Sequence, residues 1–248
     1  MLTRRQRERY ARQMVIPQVG EAGQEKLLSS RVLVVGLGGL GSPAAYYLAA
    51  AGVGVLGLAD GDSVSESNLH RQIVHGASTV GLNKTVSAAI RLRDLNPDIE
   101  IRTHPEHLTP FNATDIIGDY EVVLSCLDSM EARYMLNDAC VASRKPLVEG
   151  GVMRFSGLVT TIIPGSGPCY RCIFPQVPAT PTMSPAEAGI VGPVPGVIGS
   201  VQAMEALKIV LGTGDLLVGR LLLVDLMDGS FREVKVSRDA SCPACGAL

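Results

Sequence analysis

The tightest constraint on this chain is a glycine-rich turn placed between two unlike segments. Arg31–Val35 is a short β-branched run, and it leads directly into Gly36-Leu37-Gly38-Gly39-Leu40-Gly41. Leu40–Ala51 follows with small and apolar residues suited to a helix packed closely on a sheet. Gly36, Gly38 and Gly41, with Gly39 beside them, fit the strand–turn–helix pattern in which backbone approaches phosphate. The first turn of such a helix offers free N–H groups and partial positive charge to an anion. A second buried run, Val53–Ala59, ends at Asp60, nineteen residues beyond Gly41, where a carboxylate can accept ribose hydroxyls. A nucleotide site is expected here. The turn alone leaves a dinucleotide and ATP equally open.

The same rhythm continues along the chain. Helices are expected at Leu82–Leu95, Ala113–Ile117 and Ser129–Ser143, and strands at Ile99–Thr103, Glu121–Cys126 and Pro146–Glu149. Strands and helices alternating at this length give an α/β fold, a Rossmann-like and mostly parallel sheet covered on both faces. After Gly151 the pattern changes. Val152–Ile163 alternates with no helix following it, and Arg220–Asp225 with Phe231–Val236 reads as a hairpin, so antiparallel strands should extend the sheet. Pro175–Pro195 reads as a long loop and Ile198–Leu211 as a buried helix, while Thr3–Met14 reads as a polar N-terminal helix. One domain is expected over 1–248, with a nucleotide half to about residue 150 and a partner-holding half beyond it.

Composition narrows the function classes. Lys and Arg total 22 against 24 Asp and Glu, for a net charge of −2, and Trp is absent. Neither a nucleic-acid partner nor a base-stacking platform is indicated. The N-terminus is too polar for a signal peptide, and apolar runs such as Val53–Ala59 are strand-length. No membrane partner and a cytoplasmic location are therefore expected. Under reducing conditions, Cys-x-x-Cys pairs read as metal ligands or redox motifs before disulfides.

Two constellations carry further chemistry. Asn68, Arg71, Gln72 and Lys84 cluster after the second strand. A nicotinamide ring needs an apolar slot, whereas a triphosphate needs cations: Arg for forked contacts and Lys for a point charge. Taken singly, each cation could equally be a surface group. Asp128 follows the fourth buried strand, at the edge where ligands of open α/β sheets collect. It could hold magnesium or cap the helix after it. Cys169-Tyr170-Arg171-Cys172 and Cys242-Pro243-Ala244-Cys245 are matched knuckles that suit a closed, structural zinc site. Cys126 and Cys140 sit in apolar segments and read as inert core thiols. His70, His75, His104 and His107 lack metal spacing and read as surface or hydrogen-bonded groups.

Arg12 in Arg9-Tyr10-Ala11-Arg12-Gln13, the GLGGLG turn, Asp60 with Ser67–Gln72, Lys84, Asp128 and the knuckles together resemble the ThiF/MoeB/HesA adenylyltransferases. These are bacterial relatives of ubiquitin-activating enzymes, and the likeness runs over nearly the whole chain. It implies a homodimer that uses Mg-ATP to adenylate the C-terminal Gly-Gly carboxylate of a small ubiquitin-like sulfur carrier. By the same resemblance, Asp60 holds the ribose, Asn68, Arg71 and Lys84 the phosphates, and Asp128 the magnesium. Arg12 reaches the γ-phosphate region of the other protomer, and Pro175–Pro195 crosses over the carrier tail. Many relatives carry a Cys in that loop, but here the stretch is Met183-Ser184-Pro185-Ala186-Glu187-Ala188-Gly189. This departure favours adenylation alone and a molybdopterin-type carrier over a thiamine-type one. The sequence stops at Leu248 with no sulfurtransferase segment, so a separate sulfur donor is expected. The rival classes are an NAD-dependent oxidoreductase and a nucleotide-binding scaffold without turnover.

Overall fold

Val32, Leu33, Val34 and Val35 are all withdrawn from solvent, as befits a parallel strand covered on both faces. They form strand β1 (Arg31–Val35) in a computed structural model that describes residues 1–175 and 188–248. The other strands are β2 (Val55–Ala59), β3 (Glu100–His104), β4 (Val122–Ser125), β5 (Leu147–Met153), β6 (Ser156–Ile162), β7 (Arg220–Asp225) and β8 (Ser230–Lys235). They make one eight-stranded sheet in the order β3-β2-β1-β4-β5-β6-β7-β8. Pairing is parallel from β3 to β5 and antiparallel from β5 to β8. The expected Rossmann-like sheet with an antiparallel extension is therefore present.

Alternation along β1 builds two cores. Val32 and Val34 face one cluster beneath helices α4 (Gly41–Ala51), α5 (Lys84–Leu95) and α9 (Pro193–Leu211). Leu33 and Val35 face the other, beneath α6 (Ala113–Gly118) and α7 (Met130–Ala142), together with the cysteine knuckles. Helix α9 carries the first core. It packs on α4, β5 and β6, and its buried Gln202 donates to the carbonyls of Ser125 (2.7 Å) and Val148 (3.2 Å). By length and composition α9 could cross a membrane. Here it is a core helix, held by these contacts and by buried Glu205, which receives the Thr161 hydroxyl at 2.5 Å.

Several expected elements differ in detail. The N-terminal segment is two short helices, α1 (Arg4–Arg9) and α2 (Ala11–Met14), instead of one over Thr3–Met14. The break falls at Tyr10, which turns inward, is 2% exposed and accepts a hydrogen bond from Asn96 (2.9 Å). Helix α3 (Gly20–Ser29) precedes β1, and a one-turn helix α8 (Tyr170–Ile173) links the cysteines of the first knuckle. Helix α9 starts at Pro193, inside the segment expected to be loop, because proline's fixed φ suits a first helical turn. Most of the expected crossover, including Met183–Glu187, lies outside the described residues.

Candidate active site

The strand order reverses between β1 and β4, which makes their carboxyl ends the switch point of the sheet. A cleft of about 470 Å³ opens there. The turn after β1 forms one wall through Gly36, Gly38 and Gly39, and Asp128 after β4 lies across from it. Gly36 adopts φ +91°, and a Cβ there would lie 2.6 Å from the Cys126 carbonyl oxygen. Gly41 does not line the cleft. A Cβ on it would fall 1.9 Å from the Gly36 carbonyl oxygen, so its role is to let α4 start against the strand it follows.

The Leu37 peptide is fastened from both sides. Its N–H donates to Asp60 Oδ2 at 2.7 Å, and its carbonyl lies 3.0 Å from His75 Nε2. A carbonyl only accepts, so that imidazole nitrogen carries a proton. The other ring nitrogen is 2.9 Å from Ser87 Oγ, inside the core. Burial pushes the His75 pKa below its ordinary value, against the opposing effect of the Leu37 hydrogen bond. Asp60 also accepts from the Asp62 N–H at 2.9 Å. The aspartate expected to meet a ribose thus braces the glycine turn.

The expected phosphate cluster is partly gathered. Arg71, Gln72 and Lys84 line the cleft. Asn68 does not: its Oδ1 accepts from Arg71 Nη2 at 2.7 Å, so it orients the arginine. Gln72 is buried and its Oε1 lacks a partner among the described residues. Lys84 is 6% exposed, with Nζ 2.7 Å from Asp62 Oδ2 and 3.6 Å from Asp60 Oδ2. Asp62, two residues past Asp60, is the partner of this lysine, and His107 Nε2 lies 3.5 Å from its other oxygen.

Beyond β4, Ser129 is the cap of α7, since its hydroxyl accepts from the Ala132 N–H at 3.2 Å. Asp128 is therefore not the capping residue. It stays exposed at the cleft and makes no ion pair among the described residues. Behind it lies a group missed in the sequence. Arg133 lines the cleft, donates from Nε (3.1 Å) and Nη2 (2.6 Å) to the Leu127 carbonyl, and approaches buried Glu149 at 3.0 Å. Burial pushes the Glu149 carboxyl up to about 7, with Arg133 acting against that rise. Cys126 is on the cleft wall, yet burial drives its thiol pKa far up and keeps it protonated. Cys140 is likewise held as a thiol, pushed up to about 12. Arg12 lies on the exposed surface of α2, away from the cleft of its own chain.

The four knuckle sulfurs converge from the two ends of the later half. Cys169 Sγ is 3.9 Å from Cys172 and 3.6 Å from Cys242, and Cys172 is 3.4 Å from Cys245. These separations are far longer than a disulfide bond. A zinc–sulfur distance of about 2.3 Å gives tetrahedral edges of about 3.8 Å, so the four fit a closed zinc site. All four atoms lie within 4.8 Å of one another. Arg171 and Tyr170 anchor the first knuckle to α7: the guanidinium forks onto Asp138 (2.7 and 2.6 Å), and the Tyr170 N–H donates to Asn137 (2.8 Å).

Comparison with known proteins agrees with this architecture. The Drosophila yakuba protein named adenylyltransferase and sulfurtransferase MOCS3 is 49% identical over 241 residues, which is 96% of this chain and 53% of that protein. Its counterpart in Drosophila sechellia is 48% identical with the same coverage. The chain thus spans about half the length of these relatives. Among solved structures, E. coli MccB with MccA-N7isoASN superposes with a TM-score of 0.84 at 21% identity, over 97% of this chain and 74% of that one. PaaA gives 0.81 at 24% identity, over 96% and 76%. At such identities the structural likeness speaks for the fold. The ThiF family pattern matches residues 10–244, taking in the glycine turn, the cluster around Arg71, Asp128 and nearly all of both knuckles. On that match, the chain belongs to the ThiF family.

Proposed function

We propose that this chain is an adenylyltransferase. It would use ATP to activate the C-terminal Gly-Gly carboxylate of a small ubiquitin-like sulfur carrier, of the molybdopterin-synthase small-subunit type, releasing pyrophosphate. The observation that carries this reading is the convergence of the glycine turn, Arg71, Lys84 and Asp128 on one cleft at the switch point. The curated relatives named MOCS3 adenylyltransferase support it over most of this chain. Arg71 and Lys84 on the lining supply the cations a triphosphate needs, and Asp128 suits magnesium, whereas a nicotinamide ring needs an apolar slot.

In this mechanism the carrier carboxylate attacks the α-phosphate. The carboxylate is already ionised, so no general base is required. What the site must supply is alignment of two anions and neutralisation of their charge. The glycine turn and the N-terminus of α4 cradle phosphate, Asp60 receives the ribose, and Arg71 and Lys84 meet the phosphate oxygens. Asn68 orients Arg71, and Gln72 offers an unpartnered amide oxygen on the same cleft wall. Magnesium supplies further charge neutralisation when bound, and Asp128, an exposed carboxylate at the cleft, fits it. Zinc fits the four knuckle cysteines in a structural role.

A homodimer belongs to the same proposal. The α4 and α9 face leaves Tyr47 58%, Ile73 53% and Met204 50% exposed beside an open groove. A partner subunit covering this apolar surface, with the exposed Arg12 of one chain reaching the cleft of the other, completes the proposal. The cleft-wall cysteine, Cys126, is held as a thiol, and Met183–Gly189 contains no cysteine. In this reading the chemistry of the cleft ends at the acyl-adenylate, which is then handed to a separate sulfur donor.

Exchange of radiolabelled pyrophosphate into ATP tests the proposal. Exchange should require a Gly-Gly-ended carrier, and Asp128→Ala should abolish it with zinc content unchanged. If no such carrier supports exchange and the chain instead binds a nicotinamide dinucleotide tightly, the adenylation reading fails.

A further inference from the structure

Glu149 is a carboxylate with no exposed surface in an otherwise apolar strand, β5. Neither of its oxygens makes a well-aligned hydrogen bond among the described residues, although Oε1 is 3.0 Å from Arg133 Nη1. Arg133 is itself only 9% exposed. A buried ion pair contributes little to stability compared with apolar side chains of the same volume. Its retention calls for a reason of geometry, and the surroundings provide one.

Glu149 pairs in register with Ser125, the last residue of β4, so it stands beside the point where the chain leaves the sheet toward Asp128. Arg133 reaches back from the first turns of α7 and clamps the Leu127 carbonyl with two donors. A Cβ on Gly151 would lie 2.9 Å from Arg133 Nη1, so the strand leaves room for the guanidinium at this position. Strand β5, helix α7 and the turn after β4 are thus tied through one planar group. The carbonyl it holds belongs to the peptide that leads into Asp128.

We propose that Arg133, braced by Glu149, is a positioning residue that fixes the Leu127–Asp128 peptide and so sets the direction in which the Asp128 carboxylate enters the cleft. Its link to turnover rests on the adenylation reading, whereas its effect on the turn does not. A single ammonium cannot fork across the Leu127 carbonyl and also face Glu149, so lysine is a poor substitute.

The test uses the full chain with Arg133→Met, Arg133→Lys and the double variant Arg133→Met/Glu149→Leu, which leaves no lone charge buried. Hydrogen exchange followed by mass spectrometry should show Cys126–Ala132 exchanging about tenfold faster in each variant, with the other core strands unchanged. In carrier-dependent pyrophosphate exchange, kcat should fall about a hundredfold while the KM for ATP stays within about threefold, as for a reacting group misplaced by about 1 Å. Arg133→Lys should recover less than about a tenth of the lost rate, and the magnesium concentration for half-maximal rate should rise in all three variants. If the double variant folds with wild-type protection over Cys126–Ala132 and wild-type kcat, the proposal is overturned. If the unaltered chain shows no exchange with any carrier, the adenylation reading fails, and the protection of Cys126–Ala132 alone decides whether Arg133 holds the turn.

Discussion

Gly41→Ala measures how tightly the phosphate turn is built. The added Cβ would fall 1.9 Å from the Gly36 carbonyl oxygen and 3.0 Å from its carbon, both backbone atoms. The gap must open by about 1 Å before the contact becomes tolerable. Gly36 has little freedom to move, because its N–H donates to Ala59 O at 2.8 Å and the Cys126 carbonyl lies close behind it. Helix α4 is confined too, since Gly199 of α9 brings its backbone against the Leu40 carbonyl. Strain of this kind costs about 1–3 kcal/mol. For a chain of this size that is a drop of roughly 2–10 °C in Tm. A displacement of about 1 Å at the turn should also lower kcat/KM for ATP in pyrophosphate exchange by about a hundredfold. Differential scanning fluorimetry and the exchange assay read the two effects. Gly118→Ala is the control, because a Cβ there meets nothing within 4 Å. Wild-type Tm and wild-type kcat/KM in Gly41→Ala would refute the assignment of the turn.

Three further perturbations follow from particular contacts. Cys172→Ala should reduce bound zinc from one per chain to none, measured by elemental analysis, and lower Tm by more than Gly41→Ala does, because the site ties two distant segments together. Asp62→Asn should lower the KM for ATP about two- to fivefold, since on the adenylation reading Asp62 competes with phosphate for Lys84, and an ion pair with one exposed partner is worth at most about 1 kcal/mol. An unchanged or raised KM would remove that competition. Burial holds His75 below the ordinary histidine pKa of about 6.5. The unfolded chain therefore binds the extra proton first, so the stability held above about pH 6.5 should be lost as pH falls through the lower folded pKa. In urea titrations His75→Gln should flatten this dependence, and an unaltered slope would show that His75 is not its source.

Much of the fold was legible in the sequence because parallel strands buried on both faces leave continuous apolar runs. β1 and β7 have the bounds their residues suggest, Arg31–Val35 and Arg220–Asp225. Helix starts were less legible. Asn83 caps α5 through Thr85 N at 2.8 Å, so the helix begins at Lys84 and not at Leu82. Helix α3 escaped notice because its inner face is Gly23, Gln24 and Leu27, with no apolar period to read. In the site, the cleft-facing members of the motif were legible by spacing. The bracing groups were not. Asn68 was named with the cluster but not as the group that orients Arg71, while His75 and Arg133 act through burial or through partners elsewhere in the chain, and an Arg in a helix or a Glu in a strand gives no such signal by itself. One sign was available at Glu149: a lone carboxylate inside an apolar run.

Strand β5 runs from Leu147 to Met153, across the position where the rhythm of the sequence changes. On one side it pairs in parallel with β4, on the other antiparallel with β6, and its residues touch Arg133 and Gln202 alike. An engineer wishing to graft the later segment of one relative onto the earlier segment of another would find no seam at residue 150. A cut there divides a strand that both sides need for their hydrogen bonds. A cut at the β7–β8 turn, around Asp228 and Gly229, spares β5, but the exchanged piece then carries β8 and the second cysteine knuckle, so both must match the host's β7 and first knuckle.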